Sequence, residues 1–276
     1  MAYLELTNVA KAYGPRHVLD GVNLTLDEGE FVSIVGSSAS GKTTLLKMAS
    51  GLLTPTSGAV VLGGQPVKEF SREASIVFQN YSLLPWLSAL ENVQLAVEAS
   101  SPGWPKAKVA EQSEKYLKMV GLGAAMSKRP SQLSGGMRQR VAIARAFAVE
   151  PKVMFLDEPF GALDALTRAT LQQELARMCS AAARPVTALM ITNNVDEAIL
   201  LSDRIMALGR GPKASLSPAV PVDLPRPRTT EMLMHDARAV RIRATLAGFL
   251  TKPSAPERHP GGRTPVSTSV AMEAQS

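Results

Sequence analysis

Cysteine is nearly absent from this chain. Cys179 stands alone in 276 residues, which excludes an internal disulfide framework and suits a reducing compartment. No N-terminal stretch pairs a basic start with an apolar core, so no secretory leader is expected. Long hydrophobic runs are lacking too. The uncharged window from Ala74 to Leu90 contains Gln79, Asn80 and Pro85 and makes a poor membrane span. No internal repeat stands out, and no heptad pattern is sustained. The first 209 residues also lack charge imbalance. A net charge of +6 suggests nucleic acid at first sight, yet residues 210–276 hold ten Lys/Arg against five Asp/Glu, together with nine of the 19 prolines. The basicity therefore belongs to a Pro-rich extension, read as a solvated and partly disordered tail, and no nucleic-acid partner is expected.

What is present fits a large α/β protein: 45% hydrophobic and 20% charged residues over a length that buries a sizeable core. Short β-like runs recur at 4–7, 31–35, 59–62, 75–78, 153–156, 187–191 and 205–208. VMFL and TALMI are apolar throughout, as strands covered on both faces of a parallel sheet are. After Gln79 the texture turns helical, with stretches such as VAEQSEKYLKMVGL, which predicts a helical subdomain inserted at about 80–150. Past Gly209 the pattern weakens. PVDLPRPR reads as extended, 231–250 as one helix, and the rest from Thr251 as disordered. The expected boundaries are 1–209 for the core and 210–276 for the extension.

The chemistry begins where FVSIV runs into GSSASGKTTLLKMASG. Gly36, Gly41, Lys42 and Thr43 match G-x-x-x-x-G-K-[ST], placed between a strand and a helix as the mechanism demands. Such a loop turns backbone N–H groups inward around phosphates. The helix adds its positive dipole end, Lys42 reaches the outer phosphates, and Thr43 offers a hydroxyl to Mg²⁺. Downstream, the apolar strand VMFL delivers two adjacent acids, Asp157 and Glu158. Burying such charge is expensive without a cation or a proton-transfer role, so Asp157 is assigned to the metal and Glu158 to an attacking water.

LSGGMRQRVAIARA, Leu133 to Ala146, decides the class. It resembles the signature sequence of ATP-binding cassette (ABC) ATPases and lies just before the Asp157 strand, as in that family. Physically, Ser134 and the amides of Gly135 and Gly136 open a helix and make a second anion site. The resemblance, which covers about residues 3 to 208, implies an α/β P-loop NTPase core with a mixed, largely parallel sheet, an N-terminal antiparallel β region and an inserted α-helical subdomain. It implies ATP and Mg²⁺ as cofactors, with ATP held by Tyr13, Gly36, Ser37, Ser38, Ala39, Ser40, Gly41, Lys42, Thr43 and Thr44. Tyr13 resembles the aromatic that stacks on adenine. Gln79, in VFQNYSLLPW, resembles the glutamine that touches Mg²⁺ or the attacking water. Ser134, Gly135, Gly136 and Gln139 would meet the nucleotide of a second ATPase subunit, and Asp164 would cross the same dimer interface.

The resemblance further implies transmembrane permease subunits, a periplasmic or lipid-anchored solute-binding protein, and a peripheral location on the cytoplasmic face of the inner membrane. Tyr81, Leu83, Leu84, Pro85 and Trp86 would line the groove that receives a helix of the permease. A non-transport ABC ATPase working on DNA or ribosomes is the competing class. It usually has long coiled coils or two cassettes, and this chain has neither. SLLPWLSALENV, VDEAILLSDRI and PVDLPRPR are similar to importers of the nitrate/sulfonate/taurine group, with a lean toward nitrate/nitrite and with cyanate and bicarbonate relatives nearby. Two positions depart from the family. Ala39 stands where glycine is usual, and Asn193 stands where a histidine usually bonds the γ-phosphate, which predicts slow hydrolysis. Asn194 next to it reads as a helix N-cap, with Glu197 completing a capping box.

Overall fold

The structure is a computed structural model that describes residues 2–161, 163–181 and 186–251. A long hairpin comes first, β1 (Ala2–Tyr13) and β2 (Arg16–Asp27), turned at Gly14 and Pro15. β3 (Phe31–Val35) feeds α1 (Lys42–Ala49), followed by β4 (Ser57–Leu62), β5 (Gln65–Pro66) and β6 (Ala74–Val77). Three helices follow: α2 (Ala89–Ser100), α3 (Lys106–Met119) and α4 (Gly135–Ala148). The α/β alternation resumes with β7 (Val153–Asp157), α5 (Ala165–Ala181), β8 (Thr187–Thr192), α6 (Val195–Leu201) and β9 (Arg204–Ala207). β10 (Val220–Pro221), α7 (Thr230–His235) and α8 (Ala237–Thr251) complete the described chain.

The strands form two sheets. An antiparallel one has the order β2-β1-β4-β5, and the other has the order β10-β9-β3-β8-β7-β6. Within the second, β9, β3, β8, β7 and β6 run parallel and β10 is an antiparallel edge. β3, β7 and β8 are buried at every position, because helices cover one face and the antiparallel sheet with α1 covers the other. Their side chains alternate between two cores. Met154, Leu156 and Met190 join the helical side, whereas Val153, Phe155, Leu189 and Ile191 join the hairpin side. Register places Val35 opposite Thr192 and Asp157 opposite Ile191, so the carboxyl ends of three strands meet at one edge. That edge is where open α/β sheets bind ligands.

The strand over 16–27 was not among the expected ones, and the 4–7 run is part of a much longer β1. Residues 210–251 correct the reading of a solvated tail. β10 pairs with β9, and Val222, Leu224, Leu233, Ala239, Ile242 and Leu246 are buried in the helical-side core. The physical reason is that the apolar residues of the two helices there, with Val222 and Leu224 on the strap before them, pack against α6 and β9. The expected helix at 231–250 is two helices, broken where the Asp236 carboxylate accepts from Arg238 N at 2.7 Å. The disorder expected beyond Thr251 concerns residues outside those described.

Candidate active site

β3 delivers the chain at Gly36 into a loop that folds back on itself, with Ser40 N donating to Ser37 O at 3.3 Å. Gly41 caps α1 at φ 101°, where a Cβ would also lie 3.0 Å from Val18 Cγ1, so no other residue suits the position. Ala39 has φ 62°, in the left-handed region. An alanine there carries about 1–2 kcal/mol of backbone strain that the usual glycine avoids.

Lys42 is 4% exposed. Its ammonium donates to Gly36 O at 3.1 Å, Ser37 O at 2.9 Å and Asn193 Oδ1 at 2.6 Å, and lies 3.4 Å from Glu158 Oε1. Burial lowers its pKa, and the Glu158 and Asp157 carboxylates oppose that shift. β7 ends on Asp157, 6% exposed, whose Oδ1 accepts from Thr43 Oγ1 at 3.2 Å. Desolvation raises the Asp157 pKa against the pull of Thr43 and the nearby lysines. Glu158 follows in a left-handed turn at φ 44°, held by its N–H on Ile191 O at 2.9 Å. Its carboxylate reaches Lys42 on one side and the Gln79 Nε2 donor, 3.5 Å from Oε2, on the other.

These groups open onto a cleft of ≈500 Å³ lined by Tyr13, Arg16, Val18, Ser38, Ala39, Gly41, Lys42, Thr43, Thr44, Gln79 and Glu158. Tyr13 stands at the rim, 51% exposed, with the Lys11 ammonium 5.3 Å from its ring centroid. Arg16 and Val18 were missed because β2 was missed. The available signal was the alternation of Val22, Leu24 and Leu26, all buried, interrupted at Gly21 before it resumes at Leu19. The Ser40 hydroxyl, 5% exposed, has no hydrogen-bond partner among the described residues. An unused buried donor beside a lysine parked on carbonyls fits a polyanion in the loop. Thr43 and Asp157 are the pair that could hold a divalent cation. Among the described residues no group of three or more His, Cys, Asp or Glu side chains forms a ready-made metal site.

Ser134, Gly135, Gly136 and Gln139 lie outside this cleft. Ser134 caps α4 by accepting from Met137 N at 3.2 Å. A Cβ on Gly136 would sit 2.4 Å from Thr167 Cγ2, so the close approach of α4 to the first turn of α5 requires glycine there. Gln139 is a correction: it is 1% exposed and belongs to the inward stripe Gln139, Ala142, Ile143, Ala146, at i, i+3, i+4, i+7. Facing the interior, it is not offered to a second subunit. Asp164 precedes α5 and accepts from Thr167 N at 3.0 Å, which holds its carboxyl below the usual range. Asn194 is the N-cap of α6, accepting from Asp196 N at 2.9 Å and Glu197 N at 3.3 Å. The capping box is not reciprocal as expected. Buried Glu197 instead accepts from Thr192 Oγ1 at 2.7 Å, and Asn194 N donates to that same hydroxyl at 3.0 Å.

A family model described as ABC transporter matches residues 19–161, just over half of the chain. The chain belongs to the ABC transporter family. It is 45% identical over 253 residues to the bicarbonate transport ATP-binding protein CmpD of Synechocystis, covering 90% of this chain and 89% of that one. It is 46% identical over 237 residues to the nitrate import ATP-binding protein NrtD of Synechococcus elongatus, covering 86% of each. Against the longer CmpC of Synechocystis, the match spans 91% of this chain and 38% of the other. The dimeric ATP-binding cassette MJ0796 with ADP and phosphate superposes at a TM-score of 0.72 and 33% identity, over 80% of this chain and 99% of that one. This ABC subunit is thus an ATPase coupled to transport. Among the described residues no helix is long and apolar enough to cross a membrane.

Proposed function

We propose that this subunit powers import of a small planar oxyanion, nitrate first, through separate permease subunits. The observation that carries the ATPase half is the convergence of Lys42, Glu158, Gln79 and Asn193 at one strand edge. Glu158 polarises the attacking water, and Lys42 turns from the Gly36 and Ser37 carbonyls onto the phosphates, offsetting charge as it develops. Thr43 and Asp157, with Gln79 beside them, would hold Mg²⁺, which would supply further charge stabilisation. Ser134, Gly135 and Gly136 meet the nucleotide of a second cassette, homologous or identical, and Asp164 lies at that interface. The dimeric state of MJ0796 supports this arrangement.

The permease would dock in the groove of ≈370 Å³ between the edge of β6 and α2/α4, lined by Phe70, Ile76, Phe78, Ser82, Ala96 and Arg145 among others. Tyr81, Leu83, Leu84, Pro85 and Trp86, expected to line such a groove, are not in its lining. Trp86, 64% exposed, stands on the loop that Asn92 pins through Leu84 and Leu87. A solute-binding protein on the far side of the membrane completes the assembly, with this subunit on the cytoplasmic face. The anion never touches this chain, so the lean toward nitrate rests on similarity to NrtD, and bicarbonate is second because the CmpD relatives match as well. Asn193 in place of histidine makes hydrolysis in its own site slow. Uptake of labelled nitrate is to be measured in vesicles carrying the chain and its membrane subunits, with ATP on the side of this subunit. ATP-dependent nitrate uptake that Lys42→Ala abolishes is the expected result. Uptake of bicarbonate but not nitrate selects the second reading, and uptake that survives Lys42→Ala removes this chain as its motor.

A further inference from the structure

α6 is only seven residues long, too short to hold its place by its own hydrogen bonds, yet it starts two residues after Asn193. The segment beyond residue 220 supplies what α6 lacks. The guanidinium of Arg228, 8% exposed, donates to Ile199 O at 2.8 Å and Ser202 O at 2.5 Å, at the carboxyl end of α6. It also donates to Val222 O at 3.0 Å and Leu224 O at 3.2 Å, which ties the incoming strap to the same point. The carbonyls at a helix end have no partner of their own and carry the negative end of its dipole, so a buried fork of five N–H donors fits that place. At the opposite end, Arg243 of α8 donates to Asp196 Oδ1 at 2.5 Å. Between the two, Leu233, Ala239, Ile242 and Leu246 pack in one core with Ala198, Ile199, Leu200 and Leu201.

The first turn of α6 in turn fixes the site. Asn194 caps it, Glu197 takes the Thr192 hydroxyl, and that hydroxyl takes Asn194 N, so the backbone on both sides of Asn193 is tied to α6. Asn193 Oδ1 then meets Lys42 at 2.6 Å. A cavity of ≈200 Å³ lies where Asn194, Asp196 and Glu197 face Leu233, Met234 and Arg243. Close packing therefore does not by itself hold this side of α6, and the polar anchors decide where it sits.

We propose that the segment from Arg228 to Arg243 is a clamp on α6 whose role in catalysis is to position Asn193 at the phosphate end of the cleft. The family model ends at residue 161, well short of this segment. Arg228 and Arg243 are positioning residues that touch no nucleotide, and the proposal rests on the reading that Asn193 acts on the γ-phosphate. The buried Arg228 is the stronger anchor and the exposed Asp196–Arg243 pair the weaker one.

The test uses the full-length chain assembled with its membrane subunits and reads kcat and KM for ATP beside a thermal melt. Arg228→Lys keeps the charge and loses the fork. It is expected to lower kcat about fivefold or more, since small misplacements of reacting groups are costly, while KM shifts less than about twofold because the P-loop and Tyr13 are untouched. In an Asn193→Ala background the same change should lower kcat no further. In case Arg228→Lys fails to fold, Arg243→Glu is expected to lower kcat and the swap with Asp196→Arg to restore it. Variants that fold and leave kcat unchanged, or lower it equally in the Asn193→Ala background, overturn the clamp. If Asn193→Ala alone leaves kcat unchanged, the reading of Asn193 falls, and the clamp with it.

Discussion

A side-chain amide has an acceptor end and a donor end, and in Asn193 the Lys42 ammonium takes the acceptor. Under the proposed role on phosphate, the NH₂ is the end left for that contact, so one hydrogen bond remains where imidazole also offers a second charge state. Asp157 shows what such a site costs the fold. Desolvation raises its pKa above the ordinary 3.8, so its favourable contribution is complete only below that value and is lost as pH rises through the raised pKa. In its ionised form the buried carboxylate works against stability. Asp157→Asn is therefore expected to melt higher at pH 7, with the difference closing as pH falls toward 4, and to lose ATPase activity. Ala39 gives the opposite case, strain without a visible function. Ala39→Gly removes about 1–2 kcal/mol of left-handed strain and adds about 0.5–1 kcal/mol of unfolded-chain entropy, for a small net gain in denaturant unfolding. A loss of stability would show that the loop prefers alanine for another reason. The residue types of the site were legible because phosphate chemistry needs glycine, lysine and carboxylates in a fixed order. The conformation of Ala39 was not, because φ depends on how the loop closes over Val18 and Leu19.

Elements were legible where both faces are buried, since VMFL and TALMI have only one reading at that length. β2 was not, because Gly21 breaks its alternation and Arg16 and His17 begin it with exposed charge and polarity. The C-terminal helices were misread for a different reason. Their prolines and arginines resemble a solvated tail, and the partner for Arg228 is a set of backbone carbonyls that no side-chain pattern can announce. Leu246 lies on α8 at 0% exposure. Leu246→Ala is expected to destabilise by about 2–5 kcal/mol in urea unfolding, as for a core leucine. A cost below about 0.5 kcal/mol would mean that α8 is not part of the cooperative unit.

At the scale of the whole molecule, the parallel sheet gathers Gly36, Asp157 and Asn193 onto one edge, the first and last of them 157 positions apart in sequence. The helical lobe carries Ser134 to Gly136 outside the lining of the cleft at that edge. That separation was legible from motif order alone. The inward turn of Gln139 was not, because it depends on which face of α4 the core takes. The central claim is that this cleft hydrolyses ATP through Glu158 at a rate limited by Asn193. It is tested most directly by phosphate release from the assembled full-length chain as wild type, Glu158→Gln and Asn193→His, with ATP binding measured alongside. Glu158→Gln should bind ATP and lose turnover by about 10²-fold or more, and Asn193→His should turn over faster than wild type. Turnover that survives Glu158→Gln, or that Asn193→His leaves unchanged, contradicts the account.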